Sequence, residues 1–486
     1  MRIECLAAPQ LTELWSLRED TLIDPDDGPD GTLTVLTRWG PVYFANPDPV
    51  LRSALERMTL GPVSLNNVAP GFPGLEDLDR PEDHSPEVTK LLRGLRRIRH
   101  CLVRTLALGN TPLLSIVPLA RNTVFEPQPA PGDRPCRLSR FAVLRYAEGG
   151  LRLESPLAHH RVQLHRPEMV QLLALLAGGD RPVGLQLDPE VAAAAIGYLL
   201  AARIVVAAEH PVTGTEEPVY AEDDDPTLAG WSADDMMMHA RSRLGRSDGP
   251  FGATFAHLGR MPAEPTAKPL GARAAIPLPR PDLEQLRTTD EPFSSVLERR
   301  RSVRQYGPDQ LSVRQIGELL FRSCRIREGA DRDGRPYPSM GSVYALELYL
   351  VAGPDTELPP GVYHYDPLGH LLEPLDAPAA ETAELRAAAQ ATLGADLPPP
   401  LLLVLTARFR RTTHAFSGIG YTSLMKDVGV LMQSLYLVST AMGLAPCALA
   451  SGNSDTAARA FGLDWAVESS VGEFVVGPSP SAADQG

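Results

Sequence analysis

Proline constrains this chain before any other residue does. The sequence of 486 residues holds 47 prolines, and two dense groups stand at Pro127–Pro135 and Pro262–Pro281. Proline locks φ and has no backbone N–H, so neither a helix interior nor a central strand runs through such groups. They read as linkers between separately folded segments, and the length is enough for two to four domains. The expected segments are 1–125, 137–215, 216–282 and 283–480.

The first two segments share a theme. Thr32–Thr37 and Val42–Phe44 read as short strands, followed by a helical pattern from Pro49 to Leu55. Further on, Phe141–Tyr146 and Leu151–Ser155 read as a hairpin around Glu148, Gly149 and Gly150. Val162–Leu164 is a further strand, 167–177 and 188–201 are helical, and Ile204–Val206 closes the segment. Strands, helices and a closing strand within about 75 residues suggest a winged-helix-like module, present twice. Val191–Ala208 is apolar but interrupted by Arg203, so it reads as a buried helix and a strand rather than a membrane span. Lys90–Arg104 has Leu91, Leu92, Leu95, Ile98, Leu102 and Val103 at helical spacing, with Arg93, Arg96, Arg97 and Arg99 as its charge. That face suits solvent or an acidic peptide. In 216–282, Ser232 is the natural N-cap of a helix, Met236–Met238 are packing residues, and a Pro-rich linker follows.

From 283 the pattern is α+β. A helix over Ser294–Arg300 precedes Arg300, Ser302 and Arg304. A helix over Ser312–Cys324, a small-residue loop over Tyr337–Ser342, a strand over Leu346–Val351 and a hairpin over Gly361–Leu372 come next. A helix over Ala380–Leu393, the apolar strand Leu401–Thr406, a long helix over Thr422–Met442 and a last strand over Gly472–Gly477 complete the order. Arg300, Ser302 and Arg304 lie at i, i+2 and i+4, on one face if the backbone is extended. Two guanidinium forks and a hydroxyl there suit the oxygens of a phosphate. In the loop, Ser339, Gly341 and Ser342 let backbone N–H groups approach a flat ligand.

This pair of motifs resembles the FMN site of the nitroreductase-like flavoproteins. Val362–Pro367, Gly418–Tyr421, Lys426–Gly429 and Ala448–Gly452 narrow the resemblance to the SagB-type branch, the azoline dehydrogenases that make thiazoles and oxazoles in ribosomal peptide natural products. The resemblance covers 283–480 well and the rest more loosely. It implies a C-terminal nitroreductase-like FMN domain preceded by two winged-helix-like modules, the second like those that receive an extended leader peptide at a sheet edge. It also implies a homodimer with FMN at the subunit interface, a leader-bearing peptide substrate and a cyclodehydratase partner. Arg300, Arg301, Ser302 and Arg304 would bind the phosphate and ribityl end, and Pro338, Ser339, Gly341 and Ser342 would line the ring edge. Leu449, Ala450, Ser451 and Gly452 would meet the ring, with Gln433 as a lesser contact. Met340 departs from the smaller residue usual in the family loop.

A larger departure concerns the base. Members of the branch carry a Lys-Tyr pair where this chain has Ala415 and Phe416, neither of which transfers a proton at neutral pH. Tyr421 and Lys426 are the replacement candidates, and His414 is a weaker one. Lys426 lies in the first turns of the long helix, near its positive end. The missing pair keeps a second expectation open, an FMN-binding scaffold subunit with lost or altered activity. A small-molecule NAD(P)H flavin reductase is a third, disfavoured by the long N-terminal half.

A net charge of −14 argues against general nucleic-acid binding. The acidic runs Glu19–Asp20, Asp24–Asp30 and Glu222–Asp225 read as solvated loops. Cys5, Cys101, Cys136, Cys324 and Cys447 are odd in number and scattered, which suggests neither a disulfide framework nor a zinc site and fits a reducing cytoplasm. Cys447 reads as a small core residue. His159, His160 and His165 read as surface residues rather than zinc ligands. The first residues, Met1–Cys5, lack the apolar run of a secretion signal, and no membrane association is expected.

Overall fold

The computed structural model describes residues 10–24, 31–73, 84–147, 149–178, 187–212, 216–329 and 334–480. Cys5, the acidic residues after Asp24 and Glu148 lie outside them. The chain divides into two compact units, Met1–Gly249 and Pro250–Gly486.

The first unit is organised by a six-stranded antiparallel sheet. Its strands are β1 (Leu11–Leu17), β2 (Leu102–Leu108), β3 (Thr111–Pro118), β4 (Val143–Ala147), β5 (Gly150–Glu154) and β6 (His160–Leu164), in the spatial order β1-β2-β3-β6-β5-β4. Strands from both segments expected as separate modules therefore lie in one sheet. A smaller sheet joins Leu22–Ile23, Leu33–Thr37 and Gly40–Phe44. It packs with helices α1 (Pro49–Leu60) and α2 (Pro86–Arg97) around Trp15, Leu55 and Leu91. Helices α3 (Pro167–Ala177) and α4 (Pro189–Ala201) cover a second core around Leu114, Leu172 and Leu199. Both start with proline in the first turn, where its missing N–H leaves no bond unmade.

Two expectations change here. The amphipathic helix ends at Arg97 rather than continuing to Arg104. A 3₁₀ turn, Arg99–Cys101, follows, and Leu102 and Val103 enter β2, where Val103 and Thr105 suit a pleated strand. His160 is buried, with its Nε2 2.8 Å from Thr123 Oγ1, and burial pushes its pKa down to about 4. It is a neutral core residue. His165 is exposed, as expected, and meets Ser115 Oγ at 2.7 Å.

The second unit is built on a seven-stranded antiparallel sheet. Its strands are β7 (Ile276–Pro277), β8 (Leu346–Ala352), β9 (Gly361–Asp366), β10 (Leu371–Leu375), β11 (Leu401–Arg408), β12 (Leu444–Leu449) and β13 (Glu468–Pro478), ordered β7-β10-β9-β8-β11-β13-β12. All eight residues of β11 are buried. Alternation divides them between two layers. Leu401, Leu403, Leu405 and Ala407 face the core shared with helices α6 (Val313–Cys324) and α8 (Gly420–Ala441). Leu402 and Val404 face the core shared with α7 (Ala379–Leu393) and α9 (Ser454–Phe461). The α6 helix opens with a reciprocal capping box between Ser312 and Gln315, and α5 (Phe293–Arg299) leads into the arginine motif.

On the α7/α9 side the sheet turns polar toward one end. Thr406 Oγ1 and Tyr349 Oη donate to Glu468 at 2.7 and 3.0 Å, and Lys268 Nζ lies 2.7 Å from the same carboxylate. Glu347 is held between His364 Nε2 at 3.1 Å and Arg408 Nε at 2.9 Å. Burial pushes the Glu347 carboxyl up, but the His364 hydrogen bond and the Arg408 charge outweigh it and hold it below the usual range. The Pro-rich stretch 262–281, read from the sequence as a linker, supplies Lys268 and β7, so it lies along the second unit rather than free of it. Gly317 allows this approach, since a Cβ there would meet Pro279 O at 2.7 Å.

Leu403 is fully buried at the centre of the sheet. Leu403→Ala should cost about 2–5 kcal/mol through lost burial and the cavity left behind. Thermal denaturation should show it as a lowered melting temperature of the second unit.

Candidate functional site

The arginine motif begins where α5 stops. Arg300 leaves helical geometry at φ −53°, ψ 121°, and the chain from Arg301 to Tyr306 has no regular structure. Val303 N–H donates to Pro446 O at 2.8 Å, which lays this stretch along β12. Ser302 Oγ lies 2.7 Å from Tyr436 Oη on α8, and the Arg300 guanidinium sits 5.3 Å from the centre of the same ring. Tyr436 Oη also accepts from Ala448 N–H at 2.7 Å. Tyr436 can then give its own proton to Ser302 Oγ and leave the Ser302 O–H to face an anion. Arg301 and Arg304 are exposed.

The small-residue loop is fastened to the same helix nine residues earlier. Ser339 Oγ donates to the Asp427 carboxylate at 2.5 Å and accepts from Tyr344 N–H at 3.0 Å, while Met340 N–H donates to Asp427 at 3.2 Å. Between these ties Gly341, Ser342 and Tyr344 all have positive φ, of 62°, 55° and 47°. Ser342 and Tyr344 each hold a conformation costing on the order of 1–3 kcal/mol, which persists only where surroundings enforce it. The Asp427 anchor is that enforcement. Gly341 is required by space as well, because a Cβ would come within 2.8 Å of the Phe416 ring. Met340 turns its sulfur to Ser423 Oγ at 2.9 Å, so it packs on the helix. Pro338, Gly341 and Ser342 are exposed.

The third expected element follows β12. Leu449 is buried at the strand end, and Ala450, Ser451 and Gly452 are exposed. Gly452 rests on Glu473, where a Cβ would fall 2.0 Å from a carboxylate oxygen. Burial raises the Glu473 pKa, and it likewise raises that of Asp427. Clamp, loop and strand end are therefore joined through one helix: Asp427 holds the loop, and Tyr436 holds both the clamp and the end of β12. Nine residues at about 1.5 Å each separate the two anchors by roughly 13 Å along the axis. A cationic end, a strained small-residue loop and glycines at close approaches fit a flat phosphate-bearing cofactor.

The proton-transfer candidates lie on the same helix. Tyr421 is half-exposed near Phe409, and Lys426 is exposed and shares a helix face with Gln433, seven residues on. His414 Nε2 lies 3.3 Å from Met261 O, outside this grouping. Phe416 and Ser417 pair with Gly252 and Ala253, and Phe255 N–H donates to Ala415 O at 3.2 Å. Sequence reasoning missed Asp427, Tyr436 and Glu473. Asp427 had a signal, an acid among Leu424, Val428 and Leu431 on the apolar stripe of the long helix. Among the described residues no group of His, Cys, Asp and Glu could hold a metal ion, and no helix is long and apolar enough to cross a membrane.

Comparison with known proteins agrees with this architecture. Residues 297–477 match the nitroreductase family model, and residues 136–248 match the model of the cyanobactin oxidase ThcOx. MJ1384 of Methanocaldococcus jannaschii, whose name assigns it to the nitroreductases, is 30% identical over 165 residues, 34% of this chain and 78% of the relative. The microcin B17-processing protein McbC of Escherichia coli is 28% identical over 165 residues, 32% of this chain and 58% of McbC. Among solved structures, the E. coli microcin synthetase McbBCD complex with truncated pro-MccB17 matches 51% of this chain and 93% of its own, at 23% identity and a TM-score of 0.32. The chain belongs to the nitroreductase family. The SagB-type resemblance read from its motifs is borne out by the cyanobactin-oxidase region ahead of the nitroreductase domain and by the likeness to McbC.

Asp427→Ala should release the loop, so limited proteolysis should cut within Tyr337–Ser342 in the variant under conditions where the wild-type loop resists. Asp427→Asn should separate anchoring from charge. Because burial raises the Asp427 pKa, its stability contribution is present below the ordinary Asp range and is lost as pH rises through the folded-state value. The melting-temperature difference between Asp427→Asn and wild type should therefore shift in favour of the variant as pH rises from about 4.

Proposed function

We propose that this protein is an FMN-dependent dehydrogenase that oxidises thiazoline or oxazoline rings to thiazoles or oxazoles in a ribosomally made, leader-bearing peptide. The observation that carries the reading is the joining of the oxyanion clamp and the strained loop through α8, in a chain whose 136–248 segment matches a cyanobactin oxidase model. Arg300, Arg301, Ser302 and Arg304 would hold the phosphate and ribityl end. Pro338, Ser339, Gly341 and Ser342 would line the ring edge, with Leu449, Ala450, Ser451 and Gly452 against the ring and Gln433 as a lesser contact. When bound, FMN would supply the hydride acceptor, with O₂ as the final electron acceptor. The remaining task is the proton from the neighbouring carbon. Tyr421 Oη and Lys426 Nζ, both exposed on α8, are the groups we assign to it. A homodimer, a cyclodehydratase partner and a cytoplasmic setting complete the proposal.

One observation favours a second reading, an FMN-binding scaffold subunit without turnover. Phe416 packs beside Gly341, and its backbone pairs with Gly252–Ala253, at the place where the branch carries an ionisable pair.

One experiment separates the two. The purified protein is loaded with FMN and incubated in air with an azoline-containing leader peptide, and the mass is followed. A yellow protein and a loss of about 2 Da per ring, one hydride and one proton, is the expected result. Lys426→Ala and Tyr421→Phe should then slow it. A yellow protein with an unchanged substrate mass would favour the scaffold, and failure to retain flavin would end both readings.

A further inference from the structure

Glu473 is a buried carboxyl with no part in the chemistry proposed above. It is 8% exposed, and among the described residues no cation pairs with it. Glu347 and Glu468, buried in the same sheet, are held by Arg408 and His364 and by Lys268 and Tyr349. Burying a carboxyl without such partners is costly, and groups kept in that state gather at functional sites. Its place in the register is specific. Glu473 stands opposite Val404 of β11 and opposite Leu449, the last residue of β12. It therefore lies where β12 leaves the sheet for Ala450, Ser451 and Gly452.

Two features hold the carboxyl there. The pairing of β13 with β11 shifts by one residue between Leu405–Gly472 and Thr406–Ser470, leaving Val471 as a bulge. Ser470 and Glu473 then stand opposite Thr406 and Val404, which share a face of β11, and the Ser470 hydroxyl bonds the carboxyl. On its other side the carboxyl lies against Gly452, where a Cβ would come within 2.0 to 2.4 Å of both oxygens and the carboxyl carbon. A side chain at 452 would push the carboxyl out of this place. The charges on the surrounding elements are engaged elsewhere or exposed. Arg459 of α9 pairs with Glu381 and Glu384 of α7, and Arg386 of α7 lies against Gly353. On α8, Asp427 accepts from Ser339 and Lys426 is exposed, as is Asp455 of α9. Burial is the larger influence on Glu473 and the Ser470 bond the smaller, opposing one, so its pKa is raised and the neutral acid is favoured.

We propose that Glu473 is a positioning residue of the ring site: its carboxyl is the floor beneath Gly452, and through it the protein's hold on the flavin depends on pH. This rests on the flavin reading given above. A ring laid on Ala450–Gly452 would shut the remaining solvent away from the carboxyl, which disfavours the ionised form further. Binding and protonation are then linked. FMN is held most tightly while Glu473 is neutral, and affinity falls as pH rises through the raised folded-state value, by up to about tenfold per pH unit.

Fluorescence titration of the flavin-free, full-length protein with FMN, from about pH 5 to about pH 9, tests it. The wild-type Kd should rise with pH. Glu473→Gln keeps the shape and loses the titration, so its Kd should stay near the wild-type low-pH value. Taking the ratio of the two cancels the titration of the FMN phosphate, which both proteins share. Gly452→Ala should weaken FMN by about tenfold at every pH, because its methyl group displaces the carboxyl. Adding Glu473→Ser to Gly452→Ala should recover part of that loss and remove the pH dependence. This second variant also lacks the titrating group, so it repeats the test if Glu473→Gln melts below wild type. Parallel pH profiles for the wild type and the variants at 473, or no effect of Gly452→Ala, would overturn the role of Glu473 and leave the flavin reading in place. No FMN binding by the wild type at any pH would overturn both.

Discussion

The second unit depends on burying β11 from both faces at once. Eight consecutive buried residues require two helical layers, and the pleat assigns alternate side chains to each. That requirement brings α8 against one face and α7 with α9 against the other. It also explains the polar end of the sheet. Where the strand reaches Thr406 and Arg408 no apolar partner follows, and buried Glu347 and Glu468 are tolerated only because His364, Arg408, Tyr349 and Lys268 complete their bonds.

With α8 fixed by its apolar stripe, the candidate site follows from two polar residues set among that stripe. Asp427 reaches the loop that leads into β8, and Tyr436 reaches the stretch beside β12. Both segments come from distant parts of the sequence and neither has regular structure of its own. The helix therefore serves as the common reference for a cationic clamp and a strained loop. Because burial pushes the Asp427 carboxyl up, the anchor that holds the loop also works against the stability of the charged form. That is a local cost placed where a binding site needs a defined backbone.

The first unit shows the same economy with a different outcome. Arg104 is neutralised internally by Glu13 and stacks on Trp15. Arg96 and Arg99, at and just beyond the end of α2, have no such partner among the described residues and are exposed. The two kinds of arginine are indistinguishable by composition and differ only in what folding puts next to them.

Much of this was legible in the residues themselves. The Ser232 cap, the apolar β11 and the long helix depend on local periodicity and capping, so short windows suffice to read them. The family likeness rested on the same motifs. Other features were decided only by tertiary contact. Lys90–Arg104 carries a helical pattern to its end, yet Leu102 and Val103 are taken into β2, because a sheet partner outweighs a weak propensity. His160 is buried because its strand turns it to Thr123, and the proline-rich stretch 262–281 is held by Lys268 and β7 rather than left free. Asp427, Tyr436 and Glu473 acquire their roles from residues 12 to 134 positions away. Sequence by itself determined the elements and the chemistry they carry. Which of those chemistries meet was settled by three-dimensional packing, since long-range polar contacts leave no periodic trace along the chain.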